Sequence, residues 1–437
     1  MTDTTITPTR ERIASLDVIR GVAVMGILAM NIYAFALPGG AYFNPTAFGG
    51  SEGLDWLAWA FNFVFVDSKM RGLFSVLFGA SMLLVMERAI ASSRRPAVAH
   101  FTRMAWLLLF GLLHFYLIWW GDILALYALC GMLLFFFRNR SLRALRRWAI
   151  GLLTVSFLFM GAQSIGLQMA RSDNAPPAQA EEMRPVLTEI EGFFGASAER
   201  VREDLVHYRA GYRPIMRERL EDETTKPFAS LIQYGLETLG LMLIGMALFK
   251  SGMLTGHWEP KRYRRWAMRC FAVATPPLVA LMIYQVRSGY DALTVFGVSL
   301  AWSMPFDIIM TIGWAALIML VAGRYAGSRG FDRVGAAGRM AFTNYLTTSI
   351  VMTTIFYGYG LGFYGEIGRA ALYLFVIGMW AAMLLWSKPW LDRFRYGPFE
   401  WAWRSLARLR LEPMRNSAPL GGSPRPTRTT AATVETL

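Results

Sequence analysis

The chain has 437 residues, of which 55% are hydrophobic, 14% aromatic and 17% charged, and its formal net charge is +14. A soluble domain carries about a quarter of its residues as Asp, Glu, Lys or Arg, so this profile excludes an ordinary water-soluble fold and points to the bilayer as solvent. The Arg and Lys residues fall in short clusters between apolar runs. That is the pattern of the positive-inside rule, not the single basic stripe with interleaved aromatics of a nucleic-acid groove, and no nucleic-acid partner is expected.

The first apolar run carries Asp17 and Arg20 at its entrance and continues to Leu37 without a small-residue cleavage site. It therefore reads as a retained first helix rather than a signal peptide. At about 20 residues per crossing, spanning runs follow at 18–37, 71–88, 103–120, 122–137, 148–169, 228–249, 266–286, 303–323, 340–360 and 369–387. Residues 54–67 are apolar and aromatic but short, and Asp67, Lys69 and Arg71 follow them. An eleventh crossing there would put a basic cluster outside, so the segment reads as an interfacial or re-entrant helix.

Basic clusters follow the second, fourth, sixth, eighth and tenth runs. They include Arg88, Arg94, Arg95 and Arg103, then Arg138 to Arg147, then Arg324 to Arg339, whereas residues 38–53 and the Trp119-Trp120-Gly121 turn contain no Lys or Arg. This predicts an all-α polytopic bundle of about ten membrane spans, with both termini cytoplasmic. The expected organisation is a tail at 1–12, transmembrane halves at 13–170 and 226–404, an outer-side subdomain at 171–225, and a basic, largely disordered tail at 405–437. The 171–225 loop has eight Arg against twelve Asp or Glu, the opposite charge sign to the short cytoplasmic loops. Gly21, Gly26, Gly72, Gly79, Gly111 and Gly131 are expected at close helix crossings.

Cys130 and Cys270 lie in apolar runs and the four His are scattered, so neither a disulfide framework nor metal-ligand spacing is present. No metal is expected. Charged groups inside a bilayer cost roughly 2.5–3.5 kcal/mol each on insertion scales and persist mainly where they are paired, solvated or used. Asp17 and Arg20 share one helix face, which a simple end-of-helix ion pair also explains. Asn31 lies about 21 Å beyond Asp17 along the same helix. Asp67 would lie one turn before Arg71 if the second span extends that far. Asp122 opens a helix, where the dipole favours a carboxylate. Glu237 and Asp307 lie inside later spans. An isolated buried His is usually a satisfied core side chain, but His114 sits roughly 16 Å into its span and just before the Trp119-Trp120-Gly121-Asp122 turn. Eight residues separate His114 from Asp122, so the two meet only if the turn folds back.

Several blocks resemble the YeiB-like bacterial membrane proteins, whose second half is described as a domain of unknown function. They are Ser15-Leu16-Asp17-Val18-Ile19-Arg20-Gly21 with Asn31, Leu73-Phe74-Ser75-Val76-Leu77-Phe78-Gly79, His114 with Gly121-Asp122-Ile123-Leu124, Gly338-Arg339-Met340-Ala341-Phe342-Thr343-Asn344-Tyr345, and Gly397-Pro398-Phe399-Glu400-Trp401. The Asp-x-x-Arg-Gly opening also looks like the first helix of transmembrane acyltransferases such as heparan-alpha-glucosaminide N-acetyltransferase. That resemblance implies a similar bundle and transfer of an acyl group from cytoplasmic acyl-CoA to an outer-side hydroxyl or amine. The bacterial sugar acyltransferases commonly carry a His in the first helix, where this chain offers Asn31. His114 is the candidate base on its location alone.

The expected site therefore has His114 as base or acyl carrier, Asp122 orienting or recruiting the acceptor at the outer mouth, and Asn31 and Arg71 polarising the thioester or stabilising the oxyanion. Arg20 and Arg339, with Asp17 and Asn344 beside them, form the candidate acyl-CoA site. The lipid bilayer and a small-molecule or glycan acceptor are the expected partners, and a homodimer is allowed. The rival reading is a transporter for a small polar or anionic solute, with Arg20, Arg71, Glu237 and Asp307 lining its path and broken helices near 54–71 and Met304-Pro305. A noncatalytic scaffold using the outer loop is a third reading.

Overall fold

The computed structural model describes residues 10–91, 95–195 and 197–416. The expected tail residues at 1–9 and 417–437, and Arg94 of one basic cluster, lie outside the described residues. The chain opens with α1 (Arg10–Ala36), α2 (Gly53–Phe61), α3 (Lys69–Ala91), α4 (Pro96–Leu117), α5 (Leu124–Leu134) and α6 (Leu142–Arg171). Three shorter helices follow, α7 (Pro177–Phe194), α8 (Ala198–Tyr208) and α9 (Tyr212–Glu221). The second half contains α10 (Lys226–Lys250), α11 (Pro260–Arg287), α12 (Ala292–Gly297), α13 (Met304–Arg324), α14 (Arg329–Arg339), α15 (Ala341–Phe356), α16 (Leu372–Arg393) and α17 (Pro398–Arg408).

The protein is an all-α polytopic helix bundle. Among the described residues, eight helical stretches are long and apolar enough to cross a membrane, α2 and α3 counting as one. Every expected span falls on a helix, but α5 and α15 are short, with 11 and 16 residues. In lipid, helices associate through close packing because no hydrophobic drive separates them from the solvent. The crossing of α3 and α10 shows how: a methyl group at Gly79 would lie 1.9 Å from the Met242 carbonyl oxygen, and one at Gly245 would lie 1.9 Å from that of Val76. The other expected crossing glycines also face neighbouring side chains or backbone.

The segment read as interfacial or re-entrant is α2 followed by a π-turn over Asn62–Val66. Asp67 and Ser68 interrupt it before α3, with Ser68 at φ 59°. Its aromatics do not all face outward: Trp59 belongs to a buried apolar cluster with Phe194 and Leu293, and Phe63 to one with Leu278 and Val298. A second interruption mirrors it, since α12 runs into a π-turn over Val298–Trp302 before Pro305 opens α13. Just past the two breaks, Lys69 and Asp307 form a buried ion pair at 2.7 Å.

Helix α6 starts beside the Arg138–Arg147 cluster and spans 30 residues, about 45 Å at 1.5 Å per residue, before leading into α7. Helices α7 to α9 therefore cover the end of the bundle opposite that cluster. They are tied down there by Asn44 Nδ2 donating to Phe194 O, Gly39 N to Asp204 Oδ2, and Gly358 N to Tyr208 O.

At the basic end, two sequence blocks that resemble the family lock together. Glu400 accepts from the backbone N–H groups of Phe342 at 2.7 Å and Thr343 at 3.0 Å, satisfying orphan donors at the start of α15. Close to this lock, Arg395 N donates to Met414 O and Asn416 N to Arg393 O, folding 409–416 back on the end of α16. Glu400→Ala is expected to destabilise the protein by about 1–2 kcal/mol, read as a lower melting temperature in detergent.

Candidate functional site

The α4–α5 connection is a tight hairpin. A methyl group at Gly111 would lie 2.3 Å from the Ala125 backbone nitrogen, so only glycine allows the two helices to come this close. The same hairpin turns Asp122 back over α4. Asp122 Oδ1 accepts from Ala125 N at 2.8 Å, closing the first turn of α5, while Oδ2 lies 2.7 Å from His114 Nδ1. Both side chains are almost fully buried, at 0% and 1% exposure. The imidazole packs against Tyr345, with ring centroids 5.2 Å apart, and its Nε2 has no hydrogen-bond partner. An ionised Asp122 can only accept, so Nδ1 carries a proton, and in the neutral imidazole Nε2 then presents a lone pair. Gly111→Ala is expected to cost about 1–3 kcal/mol through overpacking, measurable as a drop in melting temperature.

Asp122 also forms part of the wall of a cavity of about 1320 Å³ that reaches from beneath α7–α9 into the bundle. Its deeper wall is polar, with Asn31 from α1, Asp67 and Arg71 beside and within α3, Glu237 from α10 and Asp307 from α13. Arg71 donates to Glu237 at 2.8 Å, and Asp67 accepts from the Tyr42 hydroxyl at 2.7 Å. The helix does not extend back to Asp67: α3 begins only at Lys69 and leaves Asp67 in the preceding turn. Burial, and secondly the Asp67 charge, hold the Tyr42 phenol well above its ordinary range, so it stays a donor. Nearer the cover, burial raises the Asp204 carboxyl against the opposing Gly39 N–H and Arg200.

The structure thus brings Asn31, Arg71 and Asp122 to one cavity and ties His114 to Asp122. His114 does not itself line the cavity and stands one side chain behind its wall. The candidate donor residues lie apart from it. Arg20 bonds Asp17 at 2.7 Å and Ser81 at 3.0 Å and keeps partial exposure, and Arg339 reaches the Arg395 carbonyl. Asn344 corrects the expected donor set: it is fully buried, donating to Ala337 O and Ser387 Oγ and accepting from Trp386 Nε1, which leaves it no face for a nucleotide. Lys69 is not among the residues the sequence singles out, and the signal for it is Asp307, a carboxylate inside an apolar run that requires a cation from elsewhere in the chain. Among the described residues no group of His, Cys, Asp and Glu is arranged to hold a metal ion.

Comparison with known proteins places these features in a family. Residues 248–410 match the family model described as "Protein of unknown function (DUF418)". The chain is 33% identical to the Uncharacterized protein YxaH of Bacillus subtilis over 421 residues, covering 93% of this chain and 97% of that protein. It is 32% identical to the Uncharacterized protein YeiB of Escherichia coli over 400 residues, 91% of this chain and 96% of YeiB. No solved structure matches. At this identity over more than nine tenths of the chain and of both relatives, the chain belongs to the YeiB-like family.

Proposed function

We propose that this protein is a transmembrane acyltransferase of the bacterial inner membrane. In this reading its basic end and termini face the cytoplasm, and it moves an acyl group from acyl-CoA to a hydroxyl or amine entering from the α7–α9 end. The observation that carries the reading is the His114–Asp122 pair, an imidazole held by a carboxylate with its second nitrogen uncommitted, beside a large cavity whose deeper wall carries polar side chains. A carboxylate-oriented imidazole is the arrangement that general-base catalysis requires.

In the reaction, His114 Nε2 takes the proton of the acceptor as its oxygen or nitrogen attacks the thioester carbonyl. Asp122 stabilises the imidazolium that forms, and the proton then passes to the departing thiolate. The products are an acylated acceptor and the free thiol. Because His114 lies behind the cavity wall, the Trp119–Asp122 turn has to shift to admit the acceptor, a gating step of the kind common to enclosed sites. Arg20 and Arg339, which keep exposed surface at the basic end, suit the phosphates of the donor. The test is purified protein in detergent with labelled acetyl-CoA and glucosamine as probe acceptor. Formation of labelled N-acetylglucosamine and free thiol supports the reading. Their absence across amine and hydroxyl acceptors counts against it.

A second reading rests on a separate observation. The paired breaks before α3 and α13, with Lys69 and Asp307 joined between them, resemble the discontinuous helices that carry solute sites in transporters. Uptake into proteoliposomes that depends on Asp307 and needs no coenzyme A would favour it.

A further inference from the structure

Four polar atoms beside the His114 hairpin are buried and complete no hydrogen bond: Nε1 of Trp119, Nε1 of Trp120, the hydroxyl of Tyr357 and Nη2 of Arg219. They come from three distant parts of the chain, namely the α4–α5 turn, the end of α15, and α9 of the cover. Tyr357 is 0% exposed, Trp119 1% and Arg219 3%. They are also neighbours. The two indole rings lie 5.7 Å apart, both indole N–H groups approach the Tyr357 hydroxyl oxygen without closing a well-formed hydrogen bond, and the Arg219 guanidinium is within electrostatic reach of that hydroxyl.

The chemistry of this cluster is one-sided. Indole and guanidinium N–H groups only donate, and a phenol can rotate to donate. Arg219 brings a permanent charge, and the nearby acids are taken up elsewhere: Glu218 pairs with His207 at 2.7 Å, Glu223 with Lys226, and Asp204 accepts from Gly39 N. The phenols of Tyr208 and Tyr359 are also within reach of Arg219. A single water accepts at most two of these hydrogen bonds and leaves the guanidinium uncompensated. An oxyanion has lone pairs for all four donors and the charge to balance Arg219.

We propose that Arg219, Trp119, Trp120 and Tyr357 form a recognition site for an oxyanion, the carboxylate, sulfate or phosphate of an acidic substrate. Trp119 and Trp120 stand in the cavity wall two or three residues before Asp122, so an anionic group held here leaves the rest of the molecule beside the His114–Asp122 pair. Resting on the acyltransferase reading, this assigns the acceptor to the class of negatively charged sugars or headgroups. It also explains why α9 of the cover buries an arginine: the cover supplies the charge that selects what enters.

The test is binding to the purified full chain in detergent at constant ionic strength, by calorimetry, with sodium glucuronate, glucose and inorganic phosphate as probes. Glucuronate is expected to bind saturably and glucose not at all over the same range. Arg219→Gln is expected to weaken glucuronate by about tenfold or more, and Trp120→Phe, which keeps an aromatic ring and removes one donor, by severalfold. Unchanged glucuronate binding in Arg219→Gln, or binding no better than that of glucose, overturns the proposal. Phosphate bound through Arg219 without glucuronate would make this a free-ion site and remove its role toward the acceptor. If Arg219→Gln fails to fold, the Trp120→Phe affinity decides. None of these measurements uses an acyl donor, so failure of anion binding and failure of acyl transfer are read separately.

Discussion

His114→Ala is expected to lower the rate of acyl transfer by about 10²- to 10⁴-fold, the range that a positioned general base contributes. The argument is geometric. Nδ1 is committed to Asp122 at 2.7 Å, which fixes the ring and its tautomer, and Nε2 is the one nitrogen left for chemistry. Asp122→Asn should cost about 10²-fold or more, because an amide no longer stabilises the imidazolium and can hold the ring in the wrong tautomer. His114 is buried, so loss of activity has to be separated from loss of fold. His114→Gln fills most of the same volume and can still donate to Asp122, and it is expected to be inactive while melting within a few degrees of wild type. Wild-type rates in His114→Ala would remove the pair from the mechanism.

Lys69→Ala is expected to destabilise the protein by about 3–5 kcal/mol, the cost of leaving one member of a buried ion pair uncompensated. The carboxylate left behind is that of Asp307, 6% exposed, with only the Ser303 hydroxyl at 2.8 Å as remaining partner. Asp307→Ala should be as damaging, since it strands the Lys69 ammonium with the Phe63 carbonyl as acceptor. The double variant Lys69→Met with Asp307→Leu replaces the pair by apolar groups and is expected to recover most of the stability. Melting curves in detergent read all three. Singles as stable as wild type would mean that water reaches the pair and that it does not join the two broken helices. Recovery in the double variant with loss of solute uptake would turn the evidence toward transport.

Much of the molecule can be read along the chain because a bilayer imposes a local rule: each span must be apolar over its own length and must satisfy its own backbone. Helix α1, the run of Leu73 to Gly79 and the glycines at 79 and 111 are legible for that reason. Charge clustering is local in the same way. The His114 segment stands out because a titratable ring inside an apolar run is costly wherever its partner lies. The reading falters where an element depends on its surroundings. For residues 54–67, nothing nearby in sequence reveals that Trp59 and Phe63 share buried clusters with Phe194, Leu278 and Val298. Asn344 passes for a ligand-binding residue because its partners Ser387 and Trp386 are some forty residues away.

Membrane residence, helical class, the approximate spans and the short list of costly polar residues follow from composition and periodicity, since hydrophobic transfer energy is summed residue by residue along a helix. Which polar groups meet does not. The pairing of Lys69 with Asp307, of Arg71 with Glu237, and of the Glu400 carboxylate with the start of α15 joins positions 57 to 238 residues apart. Even the eight-residue closure of His114 on Asp122 depends on how tightly Gly111 lets two helices pack. Hydrogen bonds and ion pairs act over a few ångströms in space, and that proximity exists only once the helices have packed.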